Sequence, residues 1–233
     1  IETVGALARF IAQSAPEEVE STTSHVSWAE LLHPGVAPSL PRSSFYHRAI
    51  IYLSRWIIRA LFRIRANGRD RVPEGPFILV PNHQSYLDGL FVAAFLLPQV
   101  VAATMFYAKE QHVRRRWLKA LAERCNTIVM DPKRGILHSL QQLAAGLVRG
   151  NNLMIFPEGT RSLTGELGPF KDSYAILARE LDIPIVPVVI DGAHAVLPRG
   201  RRLPNLFCPI KVTDLDPVRP LGSETAADCN RRG

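Results

Sequence analysis

Residues 77–88 read Phe-Ile-Leu-Val-Pro-Asn-His-Gln-Ser-Tyr-Leu-Asp. Four apolar residues without polar alternation mark a strand covered on both faces, and Pro81-Asn82 ends it in a polar turn. Phe77–Val80 is therefore expected as a strand and Leu87–Leu97 as the helix after it. The same beat continues downstream. Strands are expected at Val101–Tyr107, Thr127–Met130, Leu153–Phe156 and Ile185–Ile190, with a further one at Ile210–Thr213. Helices are expected between them at Val113–Glu123, Ile136–Arg149 and Tyr174–Leu181. Short apolar runs alternating with helices predict an α/β fold: a mainly parallel sheet with helices on both faces. Sites in such sheets gather at the carboxyl ends of the strands.

Upstream of this block the chain changes character. Phe45 to Arg65 reads as one amphipathic helix, within a segment bounded at 45–72. On a helical wheel Arg48, Tyr52, Arg55, Arg59 and Arg63 fall within about 80° of one another. Ile50, Trp56, Ile57, Ile58, Leu61 and Ile64 lie across from them. An arginine stripe beside a large apolar face suits an anionic membrane surface, with the arginines on lipid phosphates. The plainer alternative is a surface helix that packs its apolar face on its own core. Residues 16–44 are rich in Ser, Thr and Pro and read as a linker, 73–215 as the main domain, and 216–233 as a tail. Within a segment bounded at 1–15, residues 2–13 read as one short helix whose Thr3-Val4-Gly5-Ala6-Leu7-Ala8 resembles the last helix of an acyl or peptidyl carrier domain. That resemblance implies the remnant of an upstream carrier-like domain; an accessory helix is the alternative.

Composition narrows the function classes. The chain has 233 residues, 47% hydrophobic and 21% charged, which excludes a wholly disordered or fibrous chain. Cys125, Cys208 and Cys229 form no CxxC pair and no even set, against a disulfide scaffold or a cysteine zinc module. The 28 basic residues exceed the 21 acidic ones, giving +7, which suits an anionic partner. Nucleic acid is one such partner, but no helix-turn-helix, RNP, KH or zinc-finger pattern is present, so no nucleic-acid role is expected. The start shows neither a basic n-region nor a cleavage site, so no signal peptide is expected. Residues 89–108 are nearly uncharged, but Pro98-Gln99 interrupts them, and a short helix followed by a strand is the better reading than a membrane span.

Two motifs carry chemistry. His83 precedes Asp88 by five positions, which diverge by about 140° on a continuous helix. A contact therefore needs His83 in the entry loop and Asp88 in the first helical turn, with Ser85 as N-cap. A carboxylate on Nδ1 would leave Nε2 as a general base. Ser85-Tyr86-Leu87-Asp88 also reads as a capping box in which Asp88 merely closes the helix. The second motif, Phe156-Pro157-Glu158-Gly159-Thr160-Arg161-Ser162, follows the fourth expected strand. Its glycine permits a tight turn, the Thr160 and Ser162 hydroxyls can point inward, and Arg161 can grip a phosphate bidentately.

Together, His83 through Asp88 and Phe156 through Ser162 resemble the NHxxxxD and FPEGTRS signatures of glycerolipid acyltransferases of the 1-acylglycerol-3-phosphate acyltransferase type. His83 and Glu158 are 75 residues apart, the spacing of that family. Ala108-Lys109-Glu110, Pro169-Phe170-Lys171 and Ile183-Pro184-Ile185-Val186-Pro187 agree with it as well. Two departures concern the head group: Pro132 follows Asp131 where the family often has a basic residue, and Ser173 stands where it usually has glycine. The resemblance implies an enzyme without cofactor or metal, in which His83 is the base and Asp88 orients it. It implies that Arg161 and Lys109 bind the acceptor's phosphate, that Glu158, Gly159 and Thr160 shape its pocket, and that Lys171 is a weaker phosphate ligand. Lys133, Arg134 and the Arg114-Arg115-Arg116 run read as solvated charges, and none of the other six histidines, His194 included, is given a role. The implied partners are an acyl-CoA or acyl-carrier-protein donor, a lysophospholipid acceptor and an anionic membrane surface. The implied location is the cytoplasmic side of the membrane, peripheral or monotopic. Glycerol 3-phosphate and lysophosphatidylethanolamine stay open as acceptors.

Overall fold

The structure is a computed structural model. It describes residues 45–109, 124–130, 135–201 and 203–219, together with Leu32, Ala120 and Ala122. Apart from Leu32, the expected segments 1–15 and 16–44 lie outside the described residues, as do Arg114–Arg116, Lys133, Arg134 and most of the helix expected at 113–123.

The chain enters through helix α1 (Phe45–Leu61) and passes directly into strand β1 (Arg63–Asn67). Strand β2 (Ile78–Pro81) leads to two short helices, α2 (Asp88–Ala93) and α3 (Pro98–Ala103). Strands β3 (Thr104–Lys109) and β4 (Thr127–Met130) follow, then helix α4 (Gly135–Val148) and strand β5 (Asn152–Met154). Helix α5 (Ser173–Glu180), strand β6 (Ile185–Asp191), the single turn α6 (Ala193–Val196) and strand β7 (Pro209–Asp214) complete the order.

The seven strands lie in the order β1-β7-β6-β2-β5-β3-β4. All neighbours are parallel except β6 and β7, so β7 and β1 run against the other five. The apolar runs behave as a two-sided strand requires. Ile78 and Val80 point into a core beneath α4 and α5 with Leu143, Leu147, Leu153 and Leu177, while Leu79 points into a second core with Phe91, Met154 and Val188. Helices thus cover both faces. Leu32, from the expected linker, is helical and buried in the first core.

Three expectations are corrected. The amphipathic helix ends at Leu61, and Arg63–Asn67 is a strand that pairs with β7 through Ile64↔Ile210 and Ala66↔Val212. The sheet therefore begins before residue 73, and Val218 of the expected tail bonds back to Ile185 through two 2.8 Å backbone hydrogen bonds. Val101–Ala103 is helical, because Pro98 at the first turn opens α3 and the strand starts only at Thr104.

The third correction concerns which face of α1 looks outward. Ile51, Ile58 and Phe62 pack on the second core, and the arginines turn toward α2. Arg55 Nη1 donates to Leu96 O at 2.9 Å, Arg59 Nη2 donates to Ala94 O at 3.3 Å, and Arg59 lies over the Phe95 ring. These cations satisfy carbonyls at the carboxyl end of α2, where such groups have no helical partner. The arc that runs on from the stripe exposes Phe45, Trp56, Leu53, Ile57 and Ile50 to the surroundings. Two arginines of the stripe, Arg55 and Arg59, are thus bonded to the protein while Arg48 and Arg63 stay exposed, and a large apolar surface is exposed beside them. Among the described residues no helix is long and apolar enough to cross a membrane.

Candidate active site

Strands β2, β5 and β3 are consecutive neighbours and run parallel, so their carboxyl ends open on one edge. His83 follows β2, the Glu158–Arg161 turn follows β5, and Lys109 closes β3. At this edge Asn82 anchors the histidine loop: its Nδ2 donates to Ile190 O at 3.0 Å, and its Oδ1 accepts from Ile190 N–H at 2.7 Å.

His83 and Asp88 meet as their spacing anticipates. Asp88 Oδ2 lies 2.9 Å from His83 Nδ1 and also accepts from the backbone N–H groups of Gln84 (2.6 Å) and Ser85 (2.7 Å). The expected Ser85 N-cap is not formed, because the helix opens only at Asp88 with Leu87 as its N-cap and no side-chain cap; the carboxylate instead gathers the N–H groups of the entry loop while it holds the imidazole. The contact demands a proton on Nδ1 and leaves Nε2 as the basic atom. The Asp88 side chain is fully buried and that of His83 is 18% exposed. Burial pushes the Asp88 carboxyl above the ordinary range, and the bonds from His83, Ser85 and Gln84 pull it back. The His83 ring stacks on Phe156, centroids 4.1 Å apart and planes 23° off parallel.

The second motif locks onto the first. Glu158 Oε1 accepts from His83 N–H at 2.7 Å, and its Oε2 accepts from Gly168 N–H at 3.1 Å. Ser162 N–H donates to His83 O at 2.8 Å. Glu158 is 6% exposed, and burial raises its pKa against these two donors. It therefore positions the histidine loop from behind. Gly159 adopts φ +64°, and a Cβ there would meet Lys171 Cε at 3.0 Å and Nζ at 3.3 Å. The missing side chain is what lets the Lys171 stem lie across the turn. Arg161 is 8% exposed, with its guanidinium carbon 3.3 Å from the Tyr86 ring centroid. Thr160 is exposed, and the Ser162 hydroxyl, expected to face inward, accepts Gly165 N–H at 2.9 Å within its own loop. Lys109 reaches this edge by its backbone, in register with Met130; its side chain lies outside the description.

Two contributors escaped the sequence reading. Gln84 Nε2 donates to Gly165 O at 2.8 Å while its Oε1 accepts His194 N–H at 3.2 Å. His194 in turn places Nε2 3.1 Å from Leu163 O. Together they brace the loop after Ser162, and only the pairing of β2 with β6 brings His194 there.

The family model described as Acyltransferase matches residues 63–191. The chain belongs to the acyltransferase family. Within it, the chain is 34% identical over 149 residues to the 1-acyl-sn-glycerol-3-phosphate acyltransferase of Cocos nucifera, covering 61% of this chain and 46% of that protein. It is 32% identical over 137 residues to the probable 1-acyl-sn-glycerol-3-phosphate acyltransferase of Mycoplasma pneumoniae, covering 58% and 51%. The crystal structure of the 1-acyl-sn-glycerophosphate acyltransferase PlsC from Thermotoga maritima superposes with a TM-score of 0.63 at 26% identity, over 79% of this chain and 73% of that one. The chain thus spans about half the length of these two curated relatives. Both signature motifs lie inside the matched residues, as does the strand missed in the sequence, β1.

Proposed function

We propose that this acyltransferase moves a fatty acyl group from a thioester donor, acyl-CoA or an acyl-carrier protein, to a hydroxyl of a lysophospholipid, foremost 1-acylglycerol 3-phosphate. The observation that carries this is the imidazole of His83 held through Nδ1 by a fully buried carboxylate. His83 Nε2 takes the proton of the glycerol hydroxyl as its oxygen attacks the thioester carbonyl, and Asp88 stabilises the imidazolium. Collapse of the tetrahedral adduct breaks the C–S bond, and the same proton passes to the departing thiolate. The products are an ester and a free thiol, and no enzyme nucleophile is needed. Arg161 and Lys109 bind the acceptor's phosphate, with Lys171 beside Gly159 as a further cation.

The acceptor's home is a lipid surface, and the outer face of α1 fits one. Phe45, Leu53 and Trp56 are each more than 60% exposed, on an arc free of charge. We place this face in the interface on the cytoplasmic side, where thioester donors are made, as a peripheral or monotopic attachment.

Labelled acyl-CoA and acyl-carrier donors, offered with 1-acylglycerol 3-phosphate, glycerol 3-phosphate and lysophosphatidylethanolamine, test the reading. Transfer to 1-acylglycerol 3-phosphate that disappears in folded His83→Ala is expected. Preference for another acceptor overturns the substrate, and near-normal turnover by His83→Ala overturns the chemistry.

A further inference from the structure

We infer that Tyr86 is the positioning residue for Arg161 and that the stack between them sets how the enzyme grips its anionic acceptor. The inference rests on the reading above, in which Arg161 meets that anion. Arg161 is a cation largely removed from water: it is 8% exposed, and its Nη1 is buried without a hydrogen-bond partner. Among the described residues no carboxylate forms an ion pair with it. A buried guanidinium without counter-charge is unfavourable unless something else offers negative potential. The π face of Tyr86 does so, with its centroid 3.3 Å from the guanidinium carbon.

The stack also constrains geometry. With its carbon 3.3 Å from the ring centroid, the guanidinium is held against the Tyr86 face, which limits the directions from which an oxyanion can reach its N–H groups. The two partners come from different loops. Tyr86 stands three residues after His83, and Arg161 follows Glu158, whose own carboxylate holds His83 N–H. Ring and guanidinium therefore tie the anion grip to the loop that carries the base. Tyr86 is 54% exposed, so the ring is a poor candidate for a core-packing role.

The experiment is an acceptor and donor titration on the full chain with wild type, Tyr86→Phe, Tyr86→Leu, Tyr86→Ala, Arg161→Gln and Tyr86→Ala/Arg161→Gln, using 1-acylglycerol 3-phosphate. Tyr86→Ala and Tyr86→Leu should raise acceptor KM about five- to thirty-fold, while kcat and donor KM stay within about twofold. Tyr86→Phe keeps the face and should restore the wild-type KM. In the Arg161→Gln background, Tyr86→Ala should add nothing further. An unchanged acceptor KM in Tyr86→Ala, beside a raised one in Arg161→Gln, overturns the role of Tyr86 alone. Additive effects in the double variant also overturn it, since the ring would then act on substrate without Arg161. An unchanged acceptor KM in Arg161→Gln instead removes the anion-binding reading underneath.

Discussion

Asp88→Asn separates the charge of the His83–Asp88 pair from its geometry. One oxygen, Oδ2, receives all three donors, from His83 Nδ1, Gln84 N–H and Ser85 N–H. The other, Oδ1, is buried and has no partner. An asparagine can place its carbonyl where Oδ2 sits and its amide group in the unpartnered position, keeping every donor served. The buried amide N–H groups then replace an acceptor that was already unsatisfied. Burial also raises the Asp88 pKa, so the folded state disfavours its charge on balance, and removing that charge should not unfold the protein. What is lost is the partner of the imidazolium. With about 4 Å between charge centres and an effective dielectric of about 20, that interaction is about 4 kcal/mol, or roughly three decades in rate. The expected outcome is a fall in kcat of about a thousandfold with a melting temperature within a few degrees of wild type. Transfer from labelled acyl thioester at saturating donor and acceptor, alongside calorimetry, measures both. A kcat within tenfold of wild type in a folded Asp88→Asn protein would refute the electrostatic role, and a collapse of the fold would refute the geometric argument.

Glu158→Gln should lower both stability and turnover. Its two oxygens serve His83 N–H and Gly168 N–H, and an amide turns one acceptor into a donor facing a donor. A loss of about 2 kcal/mol corresponds to about 4–8 °C in Tm, read by calorimetry; an unchanged Tm would contradict the positioning role. Leu53→Glu with Trp56→Glu should release the protein from anionic vesicles on co-sedimentation. Wild-type attachment should largely survive high salt because Arg55 and Arg59 are bonded to the protein, and attachment abolished by salt would count against the apolar face. Asp214 supplies a pH test. Burial raises its pKa from 3.8 to about 6, despite Arg69. Between those values the folded state keeps a proton the unfolded state has released, so this group's contribution to stability falls as pH rises through that window. The full cost above it is about 3 kcal/mol. Asp214→Asn should therefore be the more stable protein at pH 7.5 by thermal melting, with the gap shrinking by about half at pH 5; a gap that widens on acidification would reverse the sign and defeat the argument.

What the sequence reveals here follows from the range over which each signal acts. Strand runs such as Ile78–Val80 and Ile185–Ile190 are legible because burial on both faces leaves no room for polar residues at any position. The His83–Asp88 contact is legible because a five-residue spacing across a helix entry has few ways to close. The α1–β1 junction is not, since Arg63 continues the helical stripe as well as it starts a two-residue alternation. The strand forms because β7 runs backward at the sheet edge and offers Arg63–Asn67 a parallel partner, which no local pattern encodes. The orientation of α1 fails for a related reason. Helical periodicity defines two faces but not which one is inward, and here the carbonyls of Ala94 and Leu96 decide it by drawing in Arg59 and Arg55. Gln84 and His194 lie 110 residues apart and meet only because β2 and β6 are neighbours. His83 and Glu158 are just as dependent on strand order, since β2 must pair with β5 for the carboxylate to reach the histidine's N–H. That site could be found from sequence because both of its halves carry short, dense motifs, whereas the residues bracing it stand alone in their segments and gain meaning only from the sheet.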